Sequence, residues 1–153
     1  MLRSFLQQNR AVILFKLDGV DPEAAVRSPV DSGTTLLGIV KHLAWVERWW
    51  FCEFIGGQSP DYPWSEEDPD ADFRVEPDDT LDSVRELYAS AVAEANAVID
   101  GAENLEVTGD GRGGERSLRW VLIHMIEETA RHAGHMDIIR EQVDGTLGYL
   151  PED

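Results

Sequence analysis

Residues 117–144 read SLRWVLIHMIEETARHAGHMDIIREQVD, and this stretch decides the fold. At about 100° per residue, Leu118, Leu122, Met125, Thr129 and Met136 fall on one line, which is the mark of a helix with one face in a core. Ser117 is a good N-cap and Gly145 a good stop, so the spacing predicts one helix over 117–144. Val121 and Ile139 lie roughly 60° to one side of the core line. Glu128 and His132 fall at nearly the same angle as that pair, so a carboxylate and an imidazole sit one turn apart inside an apolar stripe. Burying both is costly unless something satisfies them. A divalent cation does so, because it supplies the missing charge and accepts both ligand types. The metal-free readings are a buried Glu128–His132 ion pair, or Glu128 paired with Arg131. His124 and His135 lie further round, at roughly 100° to 120° from the core line. They read as rim groups, with His135 a competing ligand and His124 able to support Glu128 from one turn earlier.

Upstream of this helix the chain divides at Gly, Pro and Asp. A first helix is expected over Leu2–Leu17, with Leu2, Phe5, Leu6, Val12, Ile13 and Phe15 apolar, ending before Asp18-Gly19 and Asp21-Pro22. A second opens at Ser32 to Thr35 and runs to Gly56-Gly57, with Leu36, Val40, Leu43, Trp50 and Phe54 on one face. It carries His42, beside Ile39, Val46 and Trp49 and off the main core line; only a facing helix brings it to Glu128 and His132. Residues 58–78 hold Pro60, Pro63 and Pro69, which rule out a helix or a central strand. Trp64 and Phe73 are expected to pin this crossover to the helices. A third helix starts at Asp78, Asp79 or Thr80 and ends at Gly101, with acids in its first turn. Asp110-Gly111 and Gly113-Gly114 mark a turn or short hairpin before the fourth helix. The tail is expected to dock through Leu147, Tyr149 and Leu150. Periodicity and caps thus predict four helices in an all-α chain.

The 153 residues suit one domain over 1–153 with a real core, and five Trp and five Phe offer large burial units. A net charge of −17 repels phosphate backbones and anionic lipid, which argues against nucleic-acid and membrane partners. Cys52 is the only cysteine, so an internal disulfide and a thiolate-only metal site are both excluded. It lies in an apolar run without a basic neighbour and is a poor nucleophile. No apolar run approaches the roughly 20 residues of a membrane span. The N-terminus carries no small-residue cleavage site, so an unprocessed, cytoplasmic protein is expected. Trp45, Trp49 and Trp50 read as core or dimer interface sooner than as a substrate box. Neither GxSxG nor a Cys-His pair is present to support metal-free hydrolysis.

SGTTLLGIVKHLAWVERWWF, taken with RSLRWVLIHMIEETARHAGHMDIIREQVDG, resembles the DinB-like metalloenzyme superfamily. It is closest to an actinobacterial branch related to mycothiol-dependent maleylpyruvate isomerase and bacterial thiol S-transferases. The resemblance covers essentially the whole chain. It implies a four-helix bundle in up-down-down-up order with a long crossover between helices two and three, often a homodimer, with a metal at one end. The family's helix-two histidine is matched by His42 in KHLAWVE. Most members carry two histidines four residues apart on helix four, before an Arg-Gly-Gln-like segment; Ala133-Gly134-His135 occupies that segment here. His132 then matches the second ligand and Glu128 the first, a departure from three histidines that the isomerase is similar in having. A ligand set of His42, Glu128 and His132 favours Zn²⁺, Ni²⁺ or Mn²⁺ without choosing among them.

The resemblance implies an enzyme that uses the metal to activate a low-molecular-weight thiol for S-transfer or isomerisation, because metal coordination deprotonates a thiol. His135, His124 or Arg131 would steer the co-substrate, and His135 and Arg131 are the catalytic candidates. The alternative is a non-catalytic, stress-associated metal-binding bundle. The first helix begins almost at Met1, and the expectation that a segment of longer relatives is missing leans towards that alternative.

Overall fold

A computed structural model describes residues 1–111 and 114–148. Among these the regular structure is helical apart from one two-residue antiparallel ladder. Helix α1 spans Leu2–Phe15 and buries Leu6, Val12 and Ile13. Its apolar face is narrower than the sequence suggests, since Phe5 and Phe15 lie on the surface. The Asp21-Pro22 turn signal opens a one-turn helix, α2, at Pro22–Ala25, where Pro fits because its missing N–H would have had no partner.

Helix α3 spans Leu36–Glu47, and Thr35 caps it by accepting from Gly38 N–H through its side chain. The helix does not continue as expected. Arg48–Ile55 winds as a π-helix, with Gly56 N–H donating to Phe51 O at 2.9 Å. The core line therefore passes through Phe51, fully buried, while Trp50 is only half-buried and turns to a side cleft. Helix α4 spans Leu81–Gly101, closed at its start by a reciprocal Thr80–Ser83 capping box. Strands β1 (Thr108–Gly109) and β2 (Arg116–Ser117) make the expected hairpin, with Thr108 opposite Ser117. Gly113 of its turn, and Tyr149 and Leu150 of the expected tail contact, lie outside the described residues. Leu147 is exposed. Helix α5 spans Leu118–Val143 with Ser117 as N-cap.

Helix α1 packs along α5, and α3 along α4 and α5. The apolar interior forms two clusters. One gathers Ile13, Leu36, Val40, Tyr88, Met136 and their neighbours; the other gathers Leu6, Phe51, Ala95, Leu118 and Met125. Along α1 and α3 the residues between the clusters are Arg10 and Glu47. Arg10 donates to Glu47 through Nε at 2.7 Å and Nη2 at 2.5 Å, with the two side chains 3% and 1% exposed. A third donor, Nη1, reaches Asn96 Oδ1 at 3.0 Å. On α5 the buried residues between the clusters are Glu128, Thr129 and His132, so the Glu128–His132 pair foreseen in the α5 stripe sits where the apolar packing is interrupted.

The crossover over 56–80 contains neither helix nor strand. Lys41 on α3 ties it down, donating to Arg74 O at 2.9 Å and Asp79 Oδ2 at 2.6 Å. Gly38 lets it approach: a Cβ there would collide with the carbonyl oxygen of Phe73.

Candidate metal centre

Glu128 and His132 are both buried, one turn apart on α5, with His132 Nε2 at 3.1 Å from Glu128 Oε1. Helix α3 brings His42 Nε2 to 3.6 Å from the same carboxylate oxygen. All three side chains present a ligand atom within 4.8 Å of the others. Donors about 2.1 Å from one ion at tetrahedral angles stand about 3.4 Å from each other, and the two imidazole separations from Glu128 Oε1, 3.1 and 3.6 Å, are close to that. His132 Nδ1 is buried with no hydrogen-bond partner among the described residues. Both metal-free readings of Glu128 are also realised here, since Arg131 Nη2 donates to Glu128 Oε2 while His132 meets Oε1. They share the carboxylate and leave Oε1 common to both imidazoles.

Asp72, on the crossover, was not legible as a site residue. Its Oδ2 lies 2.6 Å from His42 Nδ1, and the carboxylate is buried. Phe73 stacks on the His42 ring, with centroids 3.8 Å apart and planes 15° from parallel. A carboxylate on one imidazole nitrogen fixes the tautomer that turns the other nitrogen's lone pair outward, here towards Glu128. The only sequence signal was a DF pair in a proline-rich stretch, which no periodicity connects to position 42.

Burial works to lower the pKa of His42, but Asp72 and Glu128 beside it outweigh burial and raise it. The hydrogen bonds from His132 and then His42 hold Glu128 well below the usual carboxylate range, against the opposing pull of burial. Glu128 is thus an anion at neutral pH, the form a cation needs.

The remaining candidates divide by position. Arg131 is exposed and stands at the lip of the site. His135 is exposed, with its ring edge-on to His132 at 5.4 Å, and is not among the residues lining the adjoining cleft. Burial and the neighbouring His132 and Arg131 lower its pKa. His124 stacks on Trp120 at 5.1 Å and meets Trp50 edge-on, which makes it part of an aromatic wall. Cys52 is buried and burial pushes its thiol up, in keeping with an inert side chain.

A cleft of ≈ 1000 Å³ opens beside the cluster, reaching it through Glu128 and Asp72. Trp49 and Trp50, expected in core or interface, line it, Trp50 while also packing against the second apolar cluster, and Tyr62 and Trp64 from the crossover line it too. Those two rings stack at 4.3 Å. Phe73 therefore does pin the crossover, through its stack on His42, while Trp64 meets Tyr62 of the same segment and it is Tyr62 that reaches Trp45 of α3, edge-on at 6.1 Å. Trp49 and Trp50 come to the cleft from the π-helical segment Arg48–Ile55.

Among the described residues no helix is long and apolar enough to cross a membrane. A family model described as mycothiol-S-transferase matches residues 1–145. No curated protein matches the chain.

Proposed function

The chain belongs to the mycothiol-S-transferase family, and on that premise we propose a divalent-metal-dependent enzyme that activates a low-molecular-weight thiol, mycothiol foremost, for S-transfer. The observation that carries this reading is the meeting of His42, Glu128 and His132 within 4.8 Å of one another, beside a cleft large enough for two small substrates. Three protein ligands with a position left open is the arrangement of catalytic sites, not structural ones. A divalent ion held there, Zn²⁺, Ni²⁺ or Mn²⁺ by its donor set, lowers the pKa of a thiol brought to it so that thiolate is available near neutral pH.

The chain's own groups do the rest. Asp72 holds the proton on His42 Nδ1 and so keeps Nε2 free to bind. Phe73 covers one face of that ring. Arg131 spends one N–H on Glu128, and its guanidinium steers the electrophile or meets charge developing on its leaving group. His135 supports the ring of His132 from the surface. In the reaction a sulfur–carbon bond forms, the electrophile's leaving group departs with its electron pair, and the thiol proton ends in bulk water.

In this reading the four long helices form an up-down-down-up bundle, a single unit over 1–153 that works as a homodimer in the cytoplasm. Small molecules, not nucleic acid or membrane, are its partners. The pairing of α1 with α5 and of α3 with α4 supports the bundle.

The test is elemental analysis together with turnover. Purified protein should carry about one divalent ion per chain, and His42→Ala and Glu128→Ala should lose it. Conjugation of mycothiol to 1-chloro-2,4-dinitrobenzene should stop on chelation and return with metal. Full metal retention in both variants would refute the ligand set. A loaded protein that turns over no bacterial thiol would be a non-catalytic, stress-associated metal binder.

A further inference from the structure

The cleft has a composition that bears on which electrophile it accepts. Its lining is rich in aromatic rings from two segments, with Trp49 and Trp50 from the π-helical segment and Tyr62 and Trp64 from the crossover. Flat, polarisable faces of this kind bind planar apolar molecules and cations, since the ring face carries negative charge. Its charges are one-sided. Among the described residues, Glu53, Glu66, Asp72, Asp110 and Glu128 line the cleft, against one guanidinium, that of Arg131. Arg131 is already engaged with Glu128, and Asp72 with His42. Even the two positive charges of an ion at the site would leave the wall net negative. The chain as a whole carries −17, so no distant positive field offsets this.

We infer that the cleft selects its second substrate by charge as well as shape, accepting a planar aromatic electrophile that is neutral or cationic and rejecting one that bears a carboxylate or sulfonate. Glu53 and Asp110 are the specificity-determining residues, because they line the cleft without serving the His42–Glu128–His132 cluster. This assignment rests on the thiol-transfer reading for its use, but not for its measurement.

The experiment has a binding arm and a kinetic arm. In the first, unreactive 1,3-dinitrobenzene and 3,5-dinitrobenzoate are titrated against tryptophan fluorescence, since Trp49, Trp50 and Trp64 face the cleft. At low ionic strength the neutral probe should bind about tenfold more tightly than the anion, and the gap should shrink in high salt. Glu53→Gln with Asp110→Asn should narrow the ratio to about threefold or less. Each single substitution should narrow it partway, so misfolding of the double variant would not hide the effect. In the second arm, kcat/KM for 1-chloro-2,4-dinitrobenzene is compared with that for 4-chloro-3,5-dinitrobenzoate, with the same ratio expected. Equal or tighter binding of the anion, or a ratio the substitutions leave unmoved, would overturn the inference even in an active enzyme. Absence of turnover with both compounds would sink the thiol-transfer reading, while an intact binding ratio would still uphold charge selection.

Discussion

Replacing Asp72 tests the centre at a residue that does not itself touch the metal position. Its carboxylate is buried and lies 2.6 Å from His42 Nδ1, a short charge-assisted contact in a site where Phe73 covers the ring. Removing such a partner from a metal-binding histidine typically costs 10- to 100-fold in affinity, which is about 1.4 to 2.7 kcal/mol. Asp72→Asn retains an acceptor for the Nδ1 proton but not its charge, so it should fall near the tenfold end. Asp72→Ala leaves that proton without a partner and frees the crossover, and should approach 100-fold. The assay is competition for Zn²⁺ with a chromophoric chelator on folded protein, with helix content checked by circular dichroism. The order parent, Asn, Ala is as informative as the sizes. An Asp72→Ala protein whose Zn²⁺ affinity stays within about twofold of the parent would refute the claim that the crossover orients His42.

Other outcomes follow from the same structure. Glu47→Leu should destabilise the fold by about 3 to 5 kcal/mol in urea, because it strands the buried Arg10 charge, whereas Arg10→Met with Glu47→Leu should recover most of that loss. Gly134 lies exposed in the middle of α5 with nothing near its missing Cβ, so Gly134→Ala should raise stability by about 0.5 to 1 kcal/mol, seen as a higher Tm. Gly38→Ala should do the opposite by about 1 to 3 kcal/mol, since its methyl meets the Phe73 carbonyl oxygen, and should weaken Zn²⁺ binding through the displaced Asp72. Zn²⁺ at about 100 times its Kd should stabilise the protein by about 2.7 kcal/mol, an increment that His132→Ala abolishes.

The helices and two of the three site residues were legible because they follow local rules. Thr80, Thr35 and Ser117 cap where the sequence places them, and the buried line of α5 follows a 3.6-residue period. Glu128 and His132 stood out for the same reason, since one helix carries both and their angle alone puts them in an apolar stripe. The π-helical turn at Arg48–Ile55 was not legible: no local signal in RWWFCEFI sets i→i+5 bonding apart from an ordinary helix. Trp49 and Trp50 were accordingly assigned to core or interface; Trp50 does pack against the second cluster, and both rings also line the cleft. Phe5 and Phe15 show the converse, apolar positions at helical spacing that stay largely on the surface.

By itself, then, the sequence determined where α3 begins and where α4 and α5 begin and end, which face of α5 is buried, and that a carboxylate and an imidazole interrupt that face. These are matters of caps and period, settled within a few residues along the chain. The tertiary structure decided that α3 brings His42 to Glu128 and that a proline-rich crossover returns Asp72 and Phe73 to the His42 ring. It also decided that the charged pair Arg10–Glu47 is buried between two apolar clusters. Those contacts join residues 30 or more positions apart, through a segment with no period to carry information between them, and they exist only once the helices pack.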